Sequence, residues 1–422
     1  MRPKLVICIP TYNRSSVISQ VLDHEAGMLK ENGIDIIIYD SSENRETENI
    51  FETYKNKGFD NLFLKKVDSR IPSNRKIYMI WQDMEKSEYD YIWLIHDHRI
   101  CTHVAVSHIL QALEENKDFY ILNTSGKGRA ASTEISTLNV FFREGASLLT
   151  LYGASIINRR TFLSGTHWKR LERRYLKGRD INFSQLGFYY ERASQISGFK
   201  ASLLEFPADA FIYIPLKEQG GFGWYNDAVR IWTKCWAATI LKLPVCYKGK
   251  MELIRSTEKI HLSGRKLTAY QKDGVFDLAC FFKYVIWIKV ASSESMLQHF
   301  FSAAGRPGRA LRVHNRTFIK KIKRMRKAHK NIVIFGAGKY ARLCGELLGN
   351  NQVEFDAFVV TVKEKNPEEL MRHPVLPAAE YFGGKTDLIV IIATASDKTQ
   401  KEIWEYIKSL NSSIDVVSFE NW

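Results

Sequence analysis

The sequence predicts an α/β protein: a mostly parallel sheet flanked by helices, then a helical middle region, then a second, smaller α/β domain. Three observations predict it. Short apolar, β-branched runs alternate with helical segments from residue 5 to about residue 122, which is the pattern of strand-helix-strand units. The alternation ceases from Lys217. It resumes at Asn331 with a fresh apolar run, and 422 residues leave room for two or three cores. Boundaries are therefore expected at 1–215, 216–330 and 331–422.

Taken in order, residues 5–9 (LVICI) read as a buried strand that Pro10-Thr11-Tyr12-Asn13-Arg14 stops, with Ser15 or Ser16 placed to cap a helix over 17–30. A second strand over 34–39 (IDIIIY) ends at Asp40-Ser41-Ser42, and a helix follows over 45–57. A short strand near 62–65, a turn at 71–74 and a helix over 75–86 lead into residues 91–101, YIWLIHDHRIC. Here an apolar strand runs straight into His96, Asp97, His98 and Arg99. In open α/β sheets ligands sit in the crevice outside the carboxyl ends of the strands, so a cleft is expected there. A helix over 104–113 and a strand over 119–122 continue the series.

Composition narrows the partners. The 61 Lys and Arg against 46 Asp and Glu give a charge of +15, which favours anionic ligands: nucleotides, phosphorylated lipids, acidic membranes or nucleic acid. The six cysteines include no C-x-x-C pair, so neither a zinc site nor a disulfide framework is expected, and a reducing cytoplasm fits. The amino terminus passes from Met-Arg-Pro-Lys directly into a strand, so no signal peptide is expected. No apolar run reaches the ~18 residues of a membrane span.

The motifs V-I-C-I-P-T-Y-N-R (6–14), I-I-I-Y-D-S-S (36–42), Asn74-Arg75 before the long helix and Y-I-W-L-x-x-D (91–97), in this order, resemble the family 2 glycosyltransferases. The resemblance covers roughly residues 4–215 and implies the GT-A fold, a mixed, mostly parallel sheet. It also implies a nucleotide-sugar site: Pro10, Thr11, Tyr12, Asn13 and Arg14 in the first loop, Asp40 and Ser41 after the second strand, Asn74 and Arg75, then His96, Asp97 and Arg99. Taken singly, Thr11-Tyr12-Asn13 also suits a plain strand-to-helix turn, and Asp40 a helix cap. The family's acidic metal motif is altered here, because His98 and Arg99 stand where further carboxylates are expected. Two readings stay open: Asp97 and His98 ligate a divalent cation, Mn²⁺ or Mg²⁺, or Arg99 neutralises the diphosphate in its place.

Residues 152–158 (YGASIIN) look like the family's strand beside the acceptor, where Gly and Ala let a sugar approach the backbone. An inverting transfer needs one general base. The family places it at the start of the helix after that strand, which implies Asp180; Glu191 and Asp209 are the other candidates. Asp180 equally suits a helix cap, and Glu191-Arg192 a solvated pair.

The basic loop 125–129 (SGKGR) lacks the P-loop ending, and the aromatic loop 220–225 (GGFGWY) resembles an acceptor-side lid. Helices are expected over 227–241 and 276–290, the latter buried or lying in a membrane plane. Residues 306–330 hold many Lys and Arg and no Asp or Glu: a solvated linker helix, or a surface for an anionic membrane. From Asn331 a strand, G-A-G-K-Y-A and a helix give a Rossmann-like domain, yet the next strand ends at Thr361, where an acidic residue would hold a ribose.

The functional expectation is an inverting transferase moving a sugar from a nucleotide-diphosphate sugar to a glycan or lipid-linked glycan acceptor of the bacterial surface. It would be cytoplasmic and peripheral at the inner membrane face; homo-oligomer formation stays open. The rivals are an NAD(P)-dependent enzyme using residues 331–422, and a nucleic-acid-binding protein, for which there is charge but no recognition motif.

Overall fold

Apolar runs with no polar face become inner strands, covered on both sides. The computed structural model describes residues 3–125, 129–178, 182–215, 224–327, 331–364, 366–383, 385, 387–394 and 397–419. In it the apolar runs are β1 (Leu5–Thr11), β2 (Asp35–Asp40), β3 (Leu62–Lys66) and β4 (Tyr91–Leu94). Further on come β5 (Arg99–Cys101), β6 (Phe119–Asn123), β7 (Ala131–Ile135), β8 (Ser155–Asn158), β9 (Ala201–Glu205) and β10 (Phe211–Tyr213). Eight of these form one mixed, mostly parallel sheet in the order β3-β2-β1-β4-β8-β6-β9-β7, and β5 and β10 make a separate antiparallel pair.

Register decides what meets at the carboxyl edge. Thr11 of β1 pairs with Asp40 of β2, and Cys8 with Leu94 of β4, so the loops after β1, β2 and β4 open side by side. One face of the sheet is covered by the helices Ser15–Glu31 and His103–Leu113, through Ile18, Leu22, Leu29, Ile109 and Leu113. Aromatic packing dominates elsewhere: Trp81 of the helix Ser73–Met84 stacks on Phe188 of the helix Ser184–Ala193, their ring centres 4.2 Å apart.

Two elements differ from expectation. The strand expected over 152–158 begins only at Ser155, because Tyr152–Ala154 forms a tight turn. The helix expected over 227–241 runs through Ala228–Arg230 and Trp236–Lys242 but widens to a π-type turn over Ile231–Cys235.

The described residues group into two compact units, 1–262 with 284–293, and 263–283 with 294–422. The second unit holds β11 (Asn331–Phe335), β12 (Ala357–Val360), β13 (Glu369–Leu370), β14 (His373–Pro377), β15 (Leu388–Ala393) and β16 (Asp415–Phe419). They form a sheet in the order β13-β14-β12-β11-β15-β16, parallel except for β13 against β14. The basic helix Pro307–Arg326 is no free linker. Its Phe318, Ile319 and Ile322 are buried in one core with Ile332 and Ile334 of β11.

Candidate active site

The carboxyl edge of β1 and β4 holds a cavity of about 250 Å³ lined by Pro10, Thr11, Tyr12, Arg14, Ser73, Lys76, Ile77, His96, Asp97 and Tyr152. A larger one, about 900 Å³, lies at the opposite end of the strands around Asp90, Asn116 and Asp118. Two of its carboxylates are engaged within the protein: Asp90 pairs with Arg160 at 3.1 Å, and Asp118 accepts from the Lys200 N–H at 2.8 Å. Chemistry therefore favours the smaller cavity.

The first loop is held open by its own backbone. Asn13 adopts a left-handed φ of 51°, which Asn tolerates better than most residues, and its N–H donates to Ser42 Oγ at 2.8 Å. This ties the loop after β1 to the loop after β2, and the Ser41 N–H adds a bond to Thr11 O at 3.1 Å.

Asp97 is the polar centre. Thr11 Oγ1 donates to its Oδ2 at 3.0 Å, Arg14 Nη1 to its Oδ1 at 2.8 Å, and His98 Nδ1 lies 3.3 Å from the same Oδ1. Burial raises the Asp97 carboxyl, but the bonds and charges of His98, Arg14 and Thr11 outweigh it and hold it below the usual carboxylate range. His96 goes the other way: burial, then the neighbouring His98 and Arg99, push it down to about 3, so it stays neutral.

Lys76 was not singled out from the sequence. Its Nζ donates to Thr11 O at 3.0 Å and to Ser41 Oγ, while burial lowers its affinity for the proton against the opposing pull of Asp40 and Asp97. The signal was legible: Lys76, Ile77, Ile80, Trp81 and Met84 share the buried face of one helix, and a lysine among four apolar residues is out of place. Tyr152 was also missed as a wall residue; its hydroxyl donates to Asn74 Oδ1 at 3.0 Å.

Other expected residues lie outside the cavity. Asp40 is fully buried, its Oδ1 accepting from the Ser42 N–H at 2.9 Å and its Oδ2 paired with Lys66 at 2.6 Å. Arg75 is exposed. Arg99 is 1% exposed and engaged throughout: Nε to Tyr213 Oη at 3.1 Å, Nη1 to Gly153 O at 3.1 Å, Nη2 to Thr124 and Tyr213. What approaches Gly153 closely is thus Arg99, for a Cβ on that glycine would lie 2.6 Å from Nη1.

Of the candidate bases, Asp180 lies outside the described residues, as do 126–128 and 220–223 of the two loops. Glu191 is buried, 3.1 Å from Arg174 Nε and accepting from Tyr175 Oη at 3.0 Å. Asp209 is exposed on the turn before β10. Neither lines the cavity.

Asp97 and His98 lie together and would give a divalent cation part of its ligand shell, the rest being left to substrate oxygens and water. Divalent Mg²⁺ or Mn²⁺ seeks about six hard donors. Here one carboxylate has both oxygens engaged, and among the described residues no group of three or more His, Cys, Asp or Glu converges.

With this geometry in view, residues 6–143 match the family model described as Glycosyl transferase family 2. They form a family 2 glycosyltransferase domain. Every cavity residue except Tyr152 falls within the matched stretch of that domain. No curated protein sequence matches the chain. Among solved structures, Staphylococcus aureus TarS 1–349 in complex with UDP-GlcNAc is 12% identical, over 75% of this chain and 91% of that one, with a TM-score of 0.45. The mannosyltransferase PcManGT from Pyrobaculum calidifontis, in complex with GDP-Man and Mn²⁺, is 12% identical over 76% and 88%, with a TM-score of 0.37. Glucosyl-3-phosphoglycerate synthase from Mycobacterium tuberculosis, with Mn²⁺, UDP and phosphoglyceric acid, is 11% identical over 57% and 80%, at 0.37. Likenesses this low carry no argument about donor, acceptor or metal.

Proposed function

We propose that the chain is an inverting glycosyltransferase that moves a sugar from a nucleotide-diphosphate donor to a hydroxyl of a lipid-linked surface glycan. The observation that supports this most is the coincidence of the family match with the cavity at the carboxyl ends of β1 and β4. The cavity brings Arg14 and Lys76 to the same wall, and the helix Ser73–Met84 starts there, adding the partial positive charge of its first N–H groups. Such a wall suits a diphosphate.

In the proposed reaction a carboxylate, Asp180, takes the proton of the acceptor hydroxyl. The acceptor oxygen bonds to the anomeric carbon, the bond from that carbon to the phosphate oxygen breaks, and its electron pair leaves on the diphosphate. Arg14 and Lys76 offset that charge, and Asp97 holds the Arg14 guanidinium in place. Asp180→Asn is expected to lower turnover about a hundredfold or more with donor affinity nearly intact.

A panel of nucleotide-diphosphate sugars, scored by calorimetry and slow donor hydrolysis with added Mn²⁺ and again in excess chelator, tests the reading. At least one donor should bind, and Arg14→Ala should weaken it about tenfold or more while leaving the bare nucleoside unaffected. Binding by no donor sinks the transferase. Binding that vanishes in chelator and returns with Mn²⁺ leaves the transferase standing but removes Arg14 as the principal counter-charge.

A further inference from the structure

The second unit carries exposed apolar side chains beside a long basic helix, and the two are joined by an unbroken row of ring contacts. Phe282 and Leu297 are each 61% exposed, on the helices Leu278–Ala291 and Met296–Ala303. Phe282 meets Phe300 with ring centres 6.3 Å apart, Phe300 meets Phe301 at 5.5 Å, and the Arg309 guanidinium lies 5.9 Å from the Phe301 ring. Arg309 opens a stripe. Arg312, Arg316, Lys320, Lys323 and Lys327 follow at steps of three or four residues and are exposed, as one face of a helix requires. The opposite face, Ala310, Phe318, Ile319 and Ile322, is buried, so the stripe is fixed in direction.

No Asp or Glu occurs between Ser295 and Gly345. A solvated helix usually interleaves both signs for solubility, and here nothing on the helix itself screens the cations. Arg326, off the stripe, has Glu354 at 3.4 Å. A purely electrostatic partner such as a nucleic acid would use the cations and leave Phe282 and Leu297 in water at a cost. An anionic bilayer uses both: basic side chains meet the headgroups while an aromatic and a leucine enter the boundary with the acyl chains.

We propose that this face of the second unit docks on an anionic lipid bilayer, with Phe282 and Leu297 inserted and the Arg309–Lys327 stripe on the headgroups. It stands apart from the transferase reading, since it involves no residue of the cleft.

The test is co-sedimentation of the full chain with vesicles of phosphatidylcholine alone or with about one third phosphatidylglycerol, at low and high salt. Binding is expected to the anionic vesicles only and to fall steeply with salt. Two sets of surface variants carry the proposal: Arg312→Glu with Arg316→Glu and Lys320→Glu, and Phe282→Ser with Leu297→Ser. Each should weaken vesicle binding about tenfold or more with an unchanged melting temperature. No preference for anionic vesicles overturns it. So does loss in the charge variant alone, with heparin binding lost in parallel, which would point to a soluble polyanion. A dimer in solution that the Phe282→Ser, Leu297→Ser pair dissolves would overturn it too, by assigning the face to a second copy.

Discussion

Arg99 is one of the two counter-charges the sequence offers for a diphosphate, beside a cation on Asp97 and His98, and in the structure its guanidinium is engaged within the protein. Its guanidinium lies over the rings of Phe211 and Tyr213, 4.7 and 5.1 Å from their centres, and bridges β5 to the Gly153 carbonyl and to Tyr213 on β10. Truncation would leave the buried Gly153 carbonyl without this donor, at about 1–3 kcal/mol, and would remove the packing of the guanidinium on Phe211. Arg99→Ala is therefore expected to lower unfolding stability by about 3 kcal/mol or more in urea titration. An Arg99→Ala protein of native stability would refute the structural role. Glu25 offers a second single-residue test. It is fully buried and its Oε1 accepts from the Cys101 N–H; burial, opposed by that bond and by the charge of Arg99, pushes its carboxyl up to about 8. A raised carboxyl means the folded state holds a proton that the unfolded state, at about 4.3, releases. Its contribution to stability is present in full below about 4.3 and is lost as pH rises through about 8. Glu25→Gln should flatten the stability curve between pH 5 and 8, as melting temperatures across that range would show.

Among elements, the helix Ser184–Ala193 is the one that side-chain pattern describes least well. All ten of its residues are buried, Gln185, Glu191 and Arg192 among them, so it has no polar face to betray its direction. Packing governs it instead: a Cβ at Gly187 would fall 2.3 Å from the Tyr175 ring. Gly187→Ala should cost about 1–3 kcal/mol, the usual penalty of overpacking, measurable by urea unfolding. The elements that were legible are those with strong apolar runs: β1, β2, β4 and β11 lie within one or two residues of expectation at nearly every end. β7 was not, since four of its five residues are exposed and ASTEI has no apolar alternation. β10 and β5, at three residues each, are too short for any period to show. The same division holds at the cleft. The loops after β1 and β4 were legible because polar residues there interrupt apolar strands, and Lys76 because it stands on the apolar face of a helix, whereas Tyr152 reaches the cavity from a turn far along the chain.

At the scale of the molecule, each of the two α/β units presents the carboxyl edge of a mostly parallel sheet, where such sheets meet their ligands. In the second unit the sheet order places β11 between β12 and β15, so the chain reverses its direction of winding there, the position at which open α/β sheets hold their ligands. Gly336 sits there with φ 115°, its N–H bonded to Val359 O at 2.8 Å, and a Cβ would meet the Ala393 carbonyl oxygen at 3.5 Å. Half of the dinucleotide requirement is therefore present, a glycine turn leading into the helix Lys339–Asn350. The other half is a carboxylate at the end of the next strand to take the ribose hydroxyls. β12 ends at Val360, and the next residue is the exposed Thr361, a neutral side chain with one oxygen where a carboxylate would offer each ribose hydroxyl a charged acceptor of its own. NAD(H) is expected to show no saturable binding below about 0.1 mM, which is weaker than about 5.5 kcal/mol. Calorimetry on the full chain checks this. Stoichiometric NAD(H) carried through purification would show that other groups supply the ribose contacts and would bring back hydride transfer as a second activity.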